Sequence, residues 1–108
     1  MTAGGDGSHY LVRLSVPRVG GWRAWGAVRG GFERGLARQH SRAVTEVHVV
    51  SETRRGRDYV RVIIALTVDA PDVARALSAA WRAFQRAASD DPTGWDMAGT
   101  TAEVRPLS

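Results

Sequence analysis

From Tyr59 to Val68 the chain is almost unbroken in apolar side chains, Tyr-Val-Arg-Val-Ile-Ile-Ala-Leu-Thr-Val. A run of this length, rich in β-branched residues and bounded by polar segments, predicts a buried strand. Alternation turns Val60, Val62, Ile64, Leu66 and Val68 toward a core, and Tyr59, Arg61, Ile63, Ala65 and Thr67 the other way. The outward set is apolar enough for a central strand, or for a sheet face that something covers. Beyond it, Val73, Leu77, Ala80, Trp81, Phe84 and Ala88 recur at helical spacing. Asp69 is placed to cap this helix, and Pro71 and Asp72 suit its first turn. The segment Asp90-Asp91-Pro92-Thr93-Gly94 stops it.

The remaining elements follow from the same periodicities. His9 to Val16 alternates, with Tyr10, Val12, Leu14 and Val16 on one side, and Pro17 is expected to end that strand. Trp22 to Gln39 reads as a helix whose apolar stripe is Trp22, Trp25, Val28, Phe32 and Leu36. Gly26, Gly30, Gly31 and Gly35 weaken it, each by up to about 1 kcal/mol relative to Ala, unless they mark close packing against a neighbour. Ala43 to Ser51 predicts a second strand, and Glu52 to Asp58 a polar hairpin connection. Trp95 to Leu107 reads as a last strand with Ala102 and Val104 inward. The order strand–helix–strand, hairpin, strand–helix–strand predicts an α+β fold of ferredoxin-like βαββαβ type. Its four-stranded antiparallel sheet has the expected order 4-1-3-2, with both helices on one face. An α+β packing in which the Gly-rich first helix is broken into loop is the alternative.

At 108 residues the chain makes one domain, read as residues 9–108 behind a Gly-rich tail, 1–8, expected to be disordered. That tail has neither the basic start nor the apolar stretch of a secretory leader. No apolar run approaches the roughly 20 residues of a membrane span, so the expected location is cytoplasmic. There are no cysteines, which excludes disulfides, thiolate metal sites and a Cys nucleophile.

Charge changes the picture more. All fifteen basic side chains are arginine, and the surplus lies in the first half: ten Arg against four carboxylates through residue 57, five against seven after it. Arg23, Arg34 and Arg38 lie opposite the apolar stripe of the first helix, and Arg75, Arg82 and Arg86 opposite that of the second. Arg54, Arg55 and Arg57 add to them in the hairpin. Guanidinium forks suit phosphate and carboxylate, so nucleic acid or an acidic protein is a candidate partner. A solvated helical face, or a GC-rich coding bias, would account for the same residues without one.

The other face of the sheet should carry His9, Leu11, Arg13, Glu46, His48, Val50, Tyr59, Arg61, Ile63, Glu103 and Arg105. Within it, Arg55-Gly56-Arg57-Asp58-Tyr59-Val60-Arg61-Val62 resembles the third-strand motif of the RNA-recognition-motif family in its Arg-Gly start and one aromatic. It departs from that motif where Arg57 and Asp58 replace an aromatic and a small residue, and where Val62 replaces a terminal aromatic. The resemblance implies single-stranded RNA stacked on this face, although Tyr10, the aromatic of the first strand, falls on the core side by alternation. A partly apolar bare face equally suits a second copy of the chain. Leu11, Val50, Tyr59 and Ile63 would then be the contacts, as in a dimeric α+β barrel with a small-molecule pocket.

Candidate chemistry is sparse. His9, His40 and His48 fit no metal-ligand spacing, and Gly20-Gly21 and Gly30-Gly31 lack the Gly-Lys-Ser/Thr of a phosphate loop. Asp90-Asp91 reads as helix stop and loop. No cofactor or metal is expected and no catalytic residue is assigned. The leading reading is a non-enzymatic module that self-associates through its sheet, with nucleic-acid binding through arginines as the alternative. A small barrel enzyme using His9 or His48 is the third.

Overall fold

The computed structural model of the protein describes residues 8–55 and 59–107. The elements are β1 (Ser8–Arg18), α1 (Gly21–Ala37), β2 (Val44–Arg55), β3 (Tyr59–Ala70), α2 (Val73–Ala87) and β4 (Thr101–Pro106). Two short 3₁₀ turns, Pro92–Gly94 and Met97–Gly99, precede β4. The chain is α+β, with one antiparallel sheet in the order β2-β3-β1-β4. Counted from the β4 edge the same order reads 4-1-3-2, with β1 and β3 in the centre. Val12, Leu14 and Val16 of β1 and Val60, Val62, Ile64, Leu66 and Val68 of β3 are fully buried. They share one core with Trp25, Phe32 and Leu36 of α1 and Ala76, Ala80, Ala83 and Phe84 of α2. Among the described residues, the other face of the sheet carries no helix.

Several boundaries differ from the sequence reading, each for a local reason. Ser8, assigned to the tail, opens β1 opposite Ala70; residues 1–7 lie outside the described residues. Pro17 does not end β1. Its carbonyl accepts Asp96 N–H at 2.9 Å, on the side of β1 that β4 would occupy. β4 pairs with β1 only as far as Ser15. The N–H and C=O of a strand residue point the same way, so proline's missing donor falls where the ladder has already stopped.

β2 runs on to Arg55, well past Ser51, and shifts register against β3 between Val44 and Glu46 and again between Val49 and Ser51. Such bulges reverse the alternation. Val47 and Val49 pack toward the core, Val50 falls in the second bulge, and Glu52 returns to the helical side. There Arg29 of α1 bridges Glu52 and Glu33.

Asp69 does not cap α2, because β3 continues through Ala70 and the Asp69 N–H bonds Ala43 O at 2.7 Å. Asp72 is the N-cap, its carboxylate accepting Arg75 N–H at 2.8 Å. Asp72→Ala is expected to cost about 1 kcal/mol, read as a lower urea midpoint; an unchanged midpoint would show that the cap is idle. Val73 is 51% exposed rather than part of the buried stripe, because it sits in the turn that brings the chain onto the helix. Leu77 and Trp81 are half-buried at the edge of the core. Of the glycines in α1, Gly35 marks the close approach: a Cβ there would lie 3.3 Å from Ala87 O, where the helices cross.

The largest departure is at the end of the chain. Trp95 is not in a strand. It bridges to Arg18 and is buried in a ring cluster, with centroids 5.4 Å from Trp25, 4.8 Å from Phe32 and 5.1 Å from Phe84. β4 begins only at Thr101, where Ala102 is exposed and Val104 half-buried.

Candidate functional site

The bare sheet face is built by register. β1 contributes His9, Leu11, Arg13 and Ser15, and β3 contributes Tyr59, Arg61, Ile63, Ala65, Thr67 and Asp69. Glu46 and His48 come from β2, and Thr101, Glu103 and Arg105 from β4. Across the middle, His48, Ala65, Arg13 and Glu103 stand in one row, and Glu46, Thr67, Leu11 and Arg105 in the next. Leu11 and Ile63 are half-buried and Ala65 is buried, so the centre is apolar while both signs of charge stand around it. A groove of about 300 Å³ lined by Arg13, Ser15, Ile63, Thr101 and Glu103 runs between β1 and β4.

Arg61 lies across this face, fixed by its own hydrogen bonds. Its Nε donates to Ser15 Oγ at 2.6 Å, Nη1 to Tyr59 Oη at 3.0 Å, and Nη2 to Gly99 O at 2.8 Å and Ser15 O at 3.3 Å. A guanidinium so committed ties β3 to the end of the 3₁₀ segment and leaves little for an outside anion. It also holds the hydroxyl of Tyr59, whose ring is 37% exposed. Tyr10 is buried in the core. The aromatic pair that the RNA-recognition-motif resemblance implies is therefore not assembled: one ring, not two, faces outward on β1 and β3.

On the helical side, Arg23, Arg34, Arg38, Arg75, Arg82 and Arg86 are all exposed. They do not form one field. Arg38, Arg82 and Arg86 line a single groove of about 280 Å³ with Gln39, His40, Ser41 and Ala79. Arg34 lines a different one, with Asp90 and Asp91, and Arg75 approaches Asp72 at 3.9 Å. Arg54 and Arg55 belong to β2 opposite Val60 and Tyr59, and Arg57 lies outside the described residues. His9 stands opposite Asp69 on β1 and His48 opposite Ala65 on β2, with β3 between their strands. No group of three or more potential metal ligands occurs among the described residues.

The arginine that sequence reasoning missed is Arg18. It is 5% exposed and pairs with Asp91 at 2.9 Å. Its guanidinium carbon lies 4.7 Å from the Trp95 ring centroid and 5.4 Å from that of Trp25. A Cβ at Gly94 would overlap both Arg18 Nη1 and Asp91 Oδ2, so any larger residue there would displace this pair. Arg18 closes the end of the core. The signals were a Pro-Arg pair at a strand end and an Asp-Asp turn 73 residues later, and nothing in the spacing joins them.

No family model matches the chain, and no curated protein matches it. Among solved structures it is similar to a proposed aminohydrolase from methicillin-resistant Staphylococcus aureus, at 14% identity and a TM-score of 0.46. That match covers 92% of this chain and 30% of the other, so the chain spans less than a third of that protein's length. No helix among the described residues is long and apolar enough to cross a membrane.

Proposed function

We propose that the protein is a ferredoxin-like interaction module whose bare sheet face pairs with a second copy of itself. One observation carries this reading. Both helices cover the same side of the sheet, and the uncovered side has an apolar centre of Leu11, Ile63 and Ala65 flanked by Glu46 and Glu103 as well as Arg13 and Arg105. The element order and the central places of β1 and β3 support the ferredoxin-like reading. A surface with both signs around an apolar middle can oppose its own copy across a two-fold axis, each carboxylate meeting the other copy's guanidinium. A one-signed partner would meet repulsion from half of that rim. Tyr59, held by Arg61, is a rigid ring at the margin of the same face, suited to an interface.

Light scattering across concentration tests this. The expected mass is twice the 11.7 kDa of one chain. Ile63→Glu sets a carboxylate at the centre of the face in both copies, and its mass should fall to that of one chain with the circular dichroism spectrum unchanged. A wild-type monomer at the highest concentration, or an Ile63→Glu variant that stays dimeric, would sink the proposal.

A further inference from the structure

The three arginines that converge on the helical side point to a second site, on the layer opposite the sheet face. We propose that the groove between the end of α1 and the outer flank of α2 binds a compact phosphate-bearing anion. Arg38 is the C-cap residue of α1, and Arg82 and Arg86 stand one turn apart on α2, so arginines of two elements line the same concavity. None of the three has an ion-pair partner among the described residues. No carboxylate among the described residues lines the groove. Asp69, whose backbone bonds Ala43 at the groove's margin, shares a parity with Thr67 and Ala65 and so sits on the far face of the sheet. Three unneutralised guanidiniums around one concavity raise the local potential well above that of single exposed charges.

The groove also supplies a neutral donor. Ser41 Oγ accepts the Val44 N–H at 3.0 Å, which leaves its hydroxyl proton to give away. The end of α1 opposes an anion by about half a charge, against three formal positive charges. Its last carbonyls are also occupied: Arg34 O by Arg38 N–H, Leu36 O by Gln39 N–H, Ala37 O by His40 N–H and Gly35 O by the Gln39 side chain.

The shape of the cluster selects the ligand. An extended nucleic-acid strand wants a track of cations, but Arg34 shares its groove with Asp90 and Asp91 and Arg75 shares its charge with Asp72. Two of the six helical arginines are thereby drawn away, Arg23 stands outside the groove, and the other three line about 280 Å³. That is room for a phosphate or pyrophosphate group, which guanidinium forks grip in a bidentate way.

Isothermal titration of the full chain with inorganic pyrophosphate at low salt tests this. The wild type should bind, with an affinity that falls as salt rises. Arg82→Ala with Arg86→Ala should weaken binding tenfold or more, since each guanidinium removed takes charge-assisted hydrogen bonds with it. Arg82→Gln, which removes the charge but keeps a polar side chain, should lose affinity in the same direction. Arg75→Ala, outside the groove, and Ile63→Glu, on the opposite face, should bind as the wild type does, so the site stands or falls independently of dimerisation. No pyrophosphate binding at low salt would overturn the proposal. So would equal losses from Arg75→Ala and Arg82→Ala, or binding of a single-stranded oligonucleotide without binding of pyrophosphate.

Discussion

Trp95→Ala should remove about 4 kcal/mol of stability, among the larger losses expected from a single truncation in this chain. Its indole is 5% exposed and touches three other rings, with centroids 4.8–5.4 Å away. Truncating a buried Trp typically costs about 3–5 kcal/mol, the transfer term plus the cavity left behind. Here the cavity would open under Arg18, whose guanidinium stacks on the same ring, so water would reach a cation that the core now shields. A domain of this size holds roughly 5–15 kcal/mol in all, so the loss would take a large share of the stability and lower the urea midpoint accordingly. Urea denaturation followed by far-ultraviolet circular dichroism checks this. Trp81 is the internal comparison. It stacks on Phe84 at 5.4 Å but is half-buried at the edge of the core, and Trp81→Ala should cost clearly less. A loss below about 1 kcal/mol for Trp95→Ala would mean that the segment between α2 and β4 is not part of the core.

Trp95 also shows where reading the sequence ran out. The strand Tyr59–Ala70 and the helix Val73–Ala87 were legible because their apolar spacing is strong and local. The same reasoning ran the last strand from Trp95 to Leu107, through Met97-Ala98-Gly99, where strand propensity is weakest. The burial of Trp95 depends on two helices meeting over it, which no window of the sequence contains. Pro17 misled in the opposite direction. A proline ends a strand only where its missing N–H would have been used, and that depended on how far β4 reached. In β2, the bulges moved Glu52 from an expected loop to the helical side, where Arg29 meets it.

The candidate surfaces divide the same way. The sheet face was readable by counting twos along β1 and β3; Val50, also expected on it, is exposed and lies inside a bulge of β2. The helical arginines were readable as a set, because side-chain direction follows from helical phase. That Arg38, Arg82 and Arg86 share one groove while Arg34 and Arg75 are drawn toward acids depended on where Asp72, Asp90 and Asp91 came to rest.

Asp91→Ala should cost about 2–3 kcal/mol, although Asp91 is itself one-third exposed and sits in a turn. The reason is its partner. The Arg18 side chain is 2% exposed, and taking away the carboxylate leaves a buried guanidinium with two indole faces around it. Breaking a buried pair from one side typically costs about 3–5 kcal/mol. The expectation here is lower because solvent already reaches Asp91 and screens the pair from that side. The remaining cation–π contacts, at about 0.5–2 kcal/mol, cannot replace a charge-assisted bond of 2.9 Å. A second substitution separates this account from simple loss of a turn residue. Arg18→Met combined with Asp91→Ala removes both charges and keeps an unbranched apolar chain between the Trp25 and Trp95 rings, so it should recover most of the stability lost by Asp91→Ala alone. Measured by urea denaturation at neutral pH, that recovery would assign the cost to the orphaned cation. A double variant no more stable than Asp91→Ala would instead place the cost in the turn around Gly94, where Asp91 O accepts the Gly94 N–H at 3.2 Å, and the ion pair would lose its role as the lock on that end of the core.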